Sequence, residues 1–410
     1  MTRDAIHGKH AVQIPRATCR LFGVIKAVGL VRNCVVLVHG PKGCVYHINY
    51  ILGMRGSRPT RIYSTSLEEK DVIFGAEKKL RAAIEELDAE LHPDLIAVLS
   101  CCATSIIGED VMSAAREART GAKVLAISSG GFEGDHRSGY AEALVRLVEE
   151  FAEPGQPVDP RAVNLVGVLR GGPDLRELIR ILGLIGVRVN AVLTAGATIG
   201  DFRNIPAAAL NVVLCEPAGM DAAAFLKERF GMPYLSIPLP MGYEATRRFL
   251  AEVGEALHIP VIPADLPIPP SPGSHTLDDQ RIAIIGGPTR AISLTLFLQE
   301  LGCEPVMVAV DHDAGCLSGL RTLVSPGVRI LIEPAEEEIE RQLRDLGVTL
   351  ILGGMLERPV ADELGIRSID IMHGCAQTVG IEGAGQLCRI LQEKYIAGSP
   401  ADVNRREEPR

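Results

Sequence analysis

The chain has 410 residues, which at about 150 residues per domain predicts two or three domains. Apolar residues make up 47% of the composition, enough for several buried cores, so disorder is excluded. With 42 basic against 51 acidic side chains the net charge is −9, which argues against nucleic acid as a partner because phosphate neutralisation needs a basic face.

The apolar stretches are all interrupted before the roughly 18 residues that a bilayer-spanning helix needs, so no membrane partner is expected. Residues 1–15 are polar, and the apolar run that follows Cys19 is broken by Lys26, which does not match a signal peptide. We therefore expect a soluble cytoplasmic protein. In that compartment the ten cysteines are expected to be reduced, ligating or catalytic rather than disulfide-bonded.

Short apolar, β-branched runs alternate with helical patterns, which is typical of parallel α/β units. The first third of the chain has three predicted strands, at Val35–Val38, Leu95–Ser100 and Lys123–Ser128. Two helices are predicted in the same region, at Glu77–Leu91 and Glu109–Arg119. The segment Phe151–Pro160 is rich in proline, glycine and acidic residues, and we interpret it as a linker.

The same alternation continues beyond the linker. Four strands are predicted before the next break, at Val163–Leu169, Val187–Leu193, Leu210–Leu214 and Tyr234–Ile237. A second break, Ile259–Pro272, contains six prolines. Four more strands are predicted after it, at Arg281–Gly286, Pro305–Val310, Val328–Glu333 and Val348–Leu352. The pattern predicts an α/β fold of three open parallel-sheet, Rossmann-like domains, over residues 1–155, 160–265 and 275–400.

Motifs for nucleotide hydrolysis and for serine hydrolases are absent from the sequence. The glycines at 286 and 287 follow a predicted strand but do not complete G-x-G-x-x-G, and no G-x-x-x-x-G-K-[ST] occurs, so we do not expect this chain to hydrolyse ATP. There is no G-x-S-x-G elbow and no C-x-x-C pair. Because ligands of open α/β sheets gather at the carboxyl ends of strands, the residues at those ends are the candidates for chemistry.

Three cysteines occupy such positions. Cys44 lies on a Gly-Pro-Lys-Gly turn just after one predicted strand, Cys102 directly follows another, and Cys19 opens the first helical pattern. Thiolates at strand ends can converge on a soft metal or an iron–sulfur cluster. Spacing alone does not decide between ligands and buried thiols. We interpret four other cysteines as small buried apolar residues, namely Cys34, Cys303, Cys316 and Cys388.

Several motifs together resemble the nitrogenase component 1 proteins. HGPKGC, YSTSLEEKDVIFGAEKKL and SCCATSIIGED resemble the first domain of that family. GATIGDFRNIPAAALNVVLCEPAGMDAAAFLKERFGMPY resembles its second domain, and GGMLERPVADELGIRSIDIMHGCAQTVGIEGAG the end of its third. The family comprises the subunits that carry the P-cluster and the iron–molybdenum cofactor, their cofactor-assembly relatives and other nitrogenase-like reductases. The resemblance covers nearly the whole chain.

The resemblance implies two metal sites. Cys19, Cys44 and Cys102 match the three family cysteines that hold one half of an iron–sulfur cluster at a subunit interface, of the [4Fe-4S] or [8Fe-7S] type. In this alignment Cys102, and not Cys101, is the matching residue, which leaves Cys101 as a bystander. Cys215 matches the cysteine that binds the terminal iron of a larger iron–sulfur-based metallocluster. A buried thiol at a strand end is the alternative for Cys215.

The segment near residue 379 departs from the family pattern. Val379 stands where the nitrogenase catalytic subunit has the histidine that acts as its second cofactor ligand. His373 and Cys375 lie a few residues upstream, and both imidazole and thiolate suit iron, so we interpret them as substitute cofactor ligands. A purely structural role for His373 in its loop is equally compatible with the sequence.

A second departure lies in GFEGDHRSGYAEAL, which is slightly shorter than in subunits that reduce dinitrogen. Tyr140 stands where an essential histidine is expected. The nearest polar candidates for catalytic proton delivery are His136 and Arg137, with a solvated loop as the alternative. Dinitrogen reduction is therefore not the predicted activity.

The predicted function is that of a metallocluster-binding subunit of a nitrogenase-like two-component reductase that acts on a small substrate, with C–S bond reduction of methylthio-alkanes as the leading candidate. Electrons would come from an ATP-dependent iron protein, and the partner would be a homologous beta-type subunit in a heterotetramer, or a second copy in a homodimer. Two alternatives remain open. One is a scaffold for assembly of the iron–molybdenum cofactor, and the other is a subunit of the nickel-tetrapyrrole reductive cyclase.

Overall fold

The structure is a computed structural model that describes residues 18–54, 61–261, 266–267, 277, 280–372 and 376–396. In this part of the chain the strands form three separate sheets, and every strand pair within them is parallel. The predicted α/β class with three open parallel sheets is confirmed. The exact domain boundaries at 155–160 and 265–275 stay a prediction.

The first sheet has the strand order β2-β1-β3-β4. Its elements in chain order are α1 (Arg20–Val28), β1 (Cys34–His39), α2 (Lys42–Met54), β2 (Ile62–Ser64), α3 (Glu69–Phe74), α4 (Glu77–Leu91), β3 (Leu95–Ser100), α5 (Cys102–Ile107), α6 (Val111–Glu117), β4 (Lys123–Ile127) and α7 (His136–Phe151). Alternate residues of β1 belong to two different cores: Val36 lies in one with α1 and α7, and Leu37 in another with α4 and α6. The sheet is therefore covered on both faces, as its apolar strands require.

The second sheet has the order β6-β5-β7-β8. Its elements are β5 (Asp159–Val168), α8 (Pro173–Leu184), β6 (Arg188–Thr194), α9 (Ile199–Arg203), β7 (Ala208–Val213), α10 (Glu216–Phe230), β8 (Tyr234–Ser236) and α11 (Tyr243–Ala256). A single apolar core runs from α1 and α7 into this sheet through residues such as Val166 and Val213. The first and second sheets are therefore packed against each other through shared helices.

The third sheet has the order β11-β10-β9-β12-β13. Its elements are β9 (Ile282–Gly286), α12 (Pro288–Glu300), β10 (Met307–Val310), α13 (Leu317–Leu323), β11 (Arg329–Ile332), α14 (Glu336–Asp345), β12 (Leu350–Gly353), α15 (Arg358–Leu364), β13 (Arg367–Asp370) and α16 (Gly380–Ile396). A second shared core joins it to the other face of the second sheet. Within the described residues, no helix is long and apolar enough to cross a membrane.

The structure adds two strands, β2 and β13, that the sequence pattern did not predict. Each lies at the edge of its sheet, and neither has more than one buried residue. Edge strands of this kind lack the apolar run that marks a buried strand. The predicted helix over Glu109–Arg119 is shorter in the structure because Asp110 caps it, its carboxylate accepting the backbone N–H of Ser113 at 2.9 Å.

Candidate functional site

Cys19 and Cys102 lie side by side at the carboxyl end of the first sheet. Cys19 precedes α1 in an extended conformation, and Cys102 is the first residue of α5, directly after β3. Gly131, beyond the end of β4, donates its backbone N–H to Cys102 Sγ at 3.1 Å. A Cβ atom on Gly131 would lie 3.0 Å from Cys102 Sγ and 3.3 Å from Cys19 Cβ, so the glycine leaves the space between the two cysteines open.

Cys44 joins them from the first turn of α2, and its thiol is hydrogen-bonded to Cys101. That hydrogen bond lowers the pKa of Cys101 to about 6, with further donation from the backbone at Thr104. The same hydrogen bond and burial raise the pKa of Cys44, which also feels the charges of Cys102 and Cys19. All four sulfurs are therefore near one another.

The turn that carries Cys44 is held by a chain of buried hydrogen bonds. Gly40 donates its N–H to Thr65 Oγ1 at 3.1 Å, and Thr65 bonds to His39 Nδ1 at 2.9 Å. His39 Nε2 bonds to a carboxylate oxygen of Glu109 at 2.7 Å. The HGPKGC and SIIGED motifs are therefore connected through the buried imidazole. Burial lowers the pKa of His39 despite the adjacent Glu109 carboxylate, so the ring is neutral at physiological pH.

The surface around these cysteines carries large exposed apolar side chains. Tyr46 on α2 is 74% exposed and Phe74 at the end of α3 is 85% exposed. We call this surface the cysteine-side face, and its other exposed apolar members are Tyr50, Met54, Val72, Ile73, Ile106 and Phe132. Several of them belong to α2 and α5, the helices that carry Cys44 and Cys102, and exposed apolar groups of this kind are typical of protein–protein contact surfaces.

Cys215 lies between the second and third sheets. It follows β7 and is the capping residue of α10, whose N-terminus favours a negative charge. Thr289, at the start of α12, donates its hydroxyl hydrogen to Cys215 Sγ across 3.3 Å. Burial raises the pKa of the Cys215 thiol, while the Thr289 hydroxyl and the backbone of Ala218 oppose that rise by hydrogen bonding. A metal ion with its positive charge is the partner that favours the thiolate in such a setting.

Two histidines from other domains are related to Cys215 through Asp311. His136, the first residue of α7, is in electrostatic range of Asp311 and His312, and Asp311 is in electrostatic range of Cys215. His136 Nδ1 and His312 Nε2 are shielded from solvent and have no hydrogen-bond partner among the described residues. Burial lowers the pKa of His136, so its ring is neutral at physiological pH. Imidazole nitrogens and a thiolate are both donors that iron accepts.

Arg137 and Tyr140 have structural partners in this region. Arg137 forms ion pairs with Asp135 in the first domain and, at 3.7 Å, with Glu333 in the third. Tyr140 is buried, and its hydroxyl bonds to Thr194 Oγ1 at 3.1 Å. Of the two residues proposed for proton delivery, His136 is therefore the one with an unsatisfied nitrogen in the described structure.

The other two predicted cofactor ligands, His373 and Cys375, lie outside the described residues. The segment that follows them is anchored to the second domain. Asp174 accepts the backbone N–H of Thr378 at 2.7 Å and that of Val379 at 3.1 Å. The buried Val379 is therefore a fixed part of the contact between the second and third sheets.

Sequence reasoning missed Cys101, Thr289, Asp311 and His312. A usable signal existed for the last two, because VAVDHD places an acid and a histidine directly after the β10 strand, at a carboxyl end where ligands gather. Thr289 carries no local signal, because its contact with Cys215 joins residues that are 74 positions apart.

Comparison with known proteins identifies relatives for almost the whole chain. The family described as "Nitrogenase component 1 type Oxidoreductase" matches residues 19–393. The chain is 30% identical over 386 residues to the nitrogenase iron-molybdenum cofactor biosynthesis protein NifE of Clostridium pasteurianum, a match that covers 88% of this chain and 83% of that protein. It is 27% identical to the nitrogenase iron-iron protein beta chain of Rhodobacter capsulatus, over 83% of this chain and 82% of that one.

A solved structure superposes on this chain over almost its whole length. "Nitrogenase Cp1 at pH 6.5" matches with a TM-score of 0.81 at 20% identity, covering 96% of this chain and 97% of that one. At that identity the likeness establishes the fold.

Proposed function

This chain belongs to the nitrogenase component 1 type oxidoreductases, as its motifs predict, and from that premise we propose that it is a scaffold subunit on which an iron–sulfur-based cofactor is assembled. The observation that carries the proposal is Cys215, a partly buried thiol at a helix N-terminus with Thr289 Oγ1 at 3.3 Å from its sulfur. Asp311 is in electrostatic range of this thiol and of His136, and His136 and His312 each have a ring nitrogen without a partner among the described residues. The relative with 30% identity is named as a cofactor biosynthesis protein, which supports assembly over the predicted reductase role.

At the first site, Cys19, Cys44 and Cys102 would hold one half of an iron–sulfur cluster. Within the described ranges no three His, Cys, Asp or Glu side chains converge closely enough for a single metal ion. A cluster spreads its ligands around several irons, so it suits thiols that line a shared space. Cys101 would stay beneath them, where its sulfur is hydrogen-bonded to Cys44.

The partner in this proposal is a homologous beta-type subunit that covers the cysteine-side face. Exposed Tyr46 and Tyr50 on α2 lie within two turns of Cys44, so a partner seated on them would also close the cluster site. A relative is itself named as a beta chain, which supports pairing of related chains. An iron protein would supply electrons from outside, because the sequence has no phosphate-binding loop.

At the second site the side chains of this chain would bind the cofactor and shield it from water. Cys215 would anchor the cofactor through its thiolate, and Thr289 would donate a hydrogen bond to that sulfur. Apolar cores on both sides of the second sheet keep water away from the thiol. The bound cofactor would supply the low-potential redox chemistry.

A second candidate function is the two-component reductase that the sequence predicted. The observation that favours it is the neutral His136, whose Nδ1 has no hydrogen-bond partner in the described part of the chain, because a maturation scaffold has no need of a proton-transfer group beside the cofactor. Reduction of methylthio-alkanes stays a prediction within this candidate, as does the nickel-tetrapyrrole alternative.

Anaerobic purification with the co-purifying partner tests the proposal. Iron and acid-labile sulfide per chain are measured in the wild type, in Cys215→Ala and in the matched control Cys303→Ala, which replaces a half-buried thiol of the third domain. Loss of one cluster population in Cys215→Ala alone supports the cofactor site. Equal iron in all three proteins contradicts it.

A transfer experiment then separates the two candidate functions. In the first assay the iron-loaded wild type is mixed with a cofactor-free acceptor protein. In the second it is mixed with an iron protein, ATP, dithionite and methylthio-alkanes. Loss of the cofactor from this chain to the acceptor supports the scaffold. Catalytic turnover without loss of the cofactor supports the reductase and contradicts the scaffold.

A further inference from the structure

His312 and Asp311 form a buried pair at the carboxyl end of β10. Asp311 extends the ladder of the third sheet, with its N–H bonded to Gly286 O at 3.2 Å. Its carboxylate accepts the Nδ1–H of His312 at 2.5 Å. The His312 residue is 7% exposed, so the pair lies inside the protein rather than on its surface.

The carboxylate decides which nitrogen of His312 is available. A hydrogen bond from Nδ1–H to Asp311 leaves the lone pair of the neutral ring on Nε2. Nε2 is shielded from solvent and has no partner in the described part of the chain. Metal-bound histidines in proteins have this arrangement, with a carboxylate on one ring nitrogen and the metal on the other.

His39 is a buried histidine with a structural role, and the hydrogen bonding of its ring nitrogens differs from that of His312. Both of its ring nitrogens are bonded, Nδ1 to Thr65 and Nε2 to Glu109. Leaving a buried polar atom without a hydrogen-bond partner is unfavourable, because the atom has lost its bonds to water. The unpaired Nε2 of His312 therefore points to a group that is absent from the protein atoms.

The site of that group is bounded by residues from all three domains. Asp311 is in electrostatic range of Cys215 from the second domain, and His312 is in range of His136 from the first. Cys316, a few residues beyond His312, is in range of Cys215 as well. The segment after β10 therefore faces the same interior region as the anchoring thiol.

We propose that His312 Nε2 is a second protein ligand of the metallocluster anchored at Cys215, with Asp311 as the residue that positions the ring. The inference rests on the proposed function, because it assumes a cofactor at Cys215. The ligand bond forms by donation of the Nε2 lone pair to iron in place of a solvent or sulfur ligand, and no electron is transferred. His312 is then the ligand that the third domain contributes to the cofactor site.

The test is a nitrogen hyperfine measurement on the cofactor. The iron-loaded complex is purified anaerobically and reduced with dithionite, and electron spin-echo modulation is recorded for the wild type and for His312→Asn, Asp311→Asn and Cys215→Ala. His258→Asn is the matched control, because His258 is exposed and its φ of 56° is one that asparagine tolerates. Wild-type chain labelled with ¹⁵N-histidine identifies the nitrogen as imidazole.

We expect a histidine nitrogen coupling in the wild type and in His258→Asn, and its loss in His312→Asn. Asp311→Asn keeps the ring but weakens its hydrogen bond, so the coupling is expected to shift rather than disappear, which a residue with only a structural role would not cause. Iron at the first cluster site, retained in every variant, shows that the chain is folded. If His312→Asn does not fold, the nitrogen coupling measured in Asp311→Asn is the result that tests the inference.

Two results would overturn the inference. One is a wild type without any histidine coupling, and the other is a coupling that persists in His312→Asn, which would assign it to His136 or His373. An unchanged coupling in Asp311→Asn would remove the positioning role. If Cys215→Ala keeps all of its iron, the proposed function itself fails, and that outcome is distinct because it does not depend on His312.

Discussion

Thr289 Oγ1 donates a hydrogen bond to Cys215 Sγ across 3.3 Å, and the two residues belong to different sheets. Thr289 begins α12 of the third domain, whereas Cys215 precedes α10 of the second. The contact means that the polarity around the thiol depends on how these two domains are packed. A change in the third domain is therefore transmitted to the anchoring sulfur by a single hydrogen bond.

Thr289→Val is expected to lower the midpoint potential of the cofactor. A hydrogen bond to a thiolate stabilises the more electron-rich, reduced state, so its loss favours the oxidised state. One hydrogen bond contributes about 1 kcal/mol, equivalent to a shift on the order of tens of millivolts. The measurement is an EPR-monitored titration, with Thr295→Val as control because the Thr295 hydroxyl bonds to Ala291 O within the same helix. A potential equal to that of the wild type would contradict the prediction.

Gly40→Ala is expected to deplete iron at the first cluster site. A Cβ atom at Gly40 would lie 2.5 Å from Cys101 Sγ, so Cys101 must move and Cys44, which is bonded to it, moves with it. Gly183→Ala is the control, because a Cβ there meets no atom within 4 Å. Both glycine-to-alanine substitutions are made in the Cys215→Ala background, so that iron and sulfide analysis reports on the first cluster site alone. Equal iron in Gly40→Ala and Gly183→Ala would show that the turn tolerates the methyl group.

Asp174→Ala is expected to lower the free energy of unfolding by roughly 2–3 kcal/mol, less than the loss of a fully buried pair because Asp174 is partly exposed. Its carboxylate accepts hydrogen bonds from the backbone of Thr378 and Val379 and pairs with Arg290 at 3.0 Å. These bonds join α8 of the second domain to the third. Denaturant unfolding measures the change.

Asp159→Ala provides the comparison for Asp174→Ala. Asp159, the first residue of β5, forms an exposed ion pair with Arg188, and exposed pairs of this kind contribute little to stability. An Asp174→Ala effect no larger than that of Asp159→Ala would mean that the contact between the second and third domains does not depend on this carboxylate.

The stability of the first domain is expected to fall in mild acid because of His39. Burial holds the pKa of His39 below its ordinary value of 6.5, against the opposing effects of Glu109 and Asp71. The unfolded chain then binds more protons than the folded one just below pH 6.5, so the free energy of unfolding decreases as the pH drops through that region. Lys79 also faces the ring and acts in the same direction as burial.

Unfolding midpoints measured between about pH 8 and pH 5 check this expectation. His39→Gln removes the titrating ring and is expected to flatten the profile. His136 also has a pKa lowered by burial and contributes with the same sign in both proteins, so the difference between the two profiles isolates His39. Parallel profiles would assign the acid sensitivity to another group.

Tyr46→Glu is expected to abolish co-purification of the partner. Tyr46 is 74% exposed on the cysteine-side face, where a buried carboxylate without a counter-charge would strongly disfavour association. Val158→Glu is the control, because Val158 is 60% exposed just before β5, away from that face. Equal recovery of the partner with both variants would exclude the cysteine-side face as the interface.

Much of the fold followed from local patterns. Helix α4 begins and ends where its periodicity predicts, at Glu77 and Leu91, and β3 spans the predicted Leu95–Ser100. Buried strands have long apolar runs and so are visible in the sequence. The edge strands β2 and β13 are short and half-exposed, and their backbone pairing with a neighbour leaves no compositional trace.

Strand periodicity and motif order are properties of the chain, so the three α/β sheets, the family and the candidate cysteines at 19, 44, 102 and 215 were predictable before folding was considered. The hydrogen bonds of Cys101 to Cys44 and of Thr289 to Cys215 are visible only in the folded protein, as is the lack of a partner for one ring nitrogen each of His136 and His312 among the described residues. These features could not be predicted because hydrogen bonding and burial are satisfied between domains, among residues whose distance in sequence carries no signal of their distance in space.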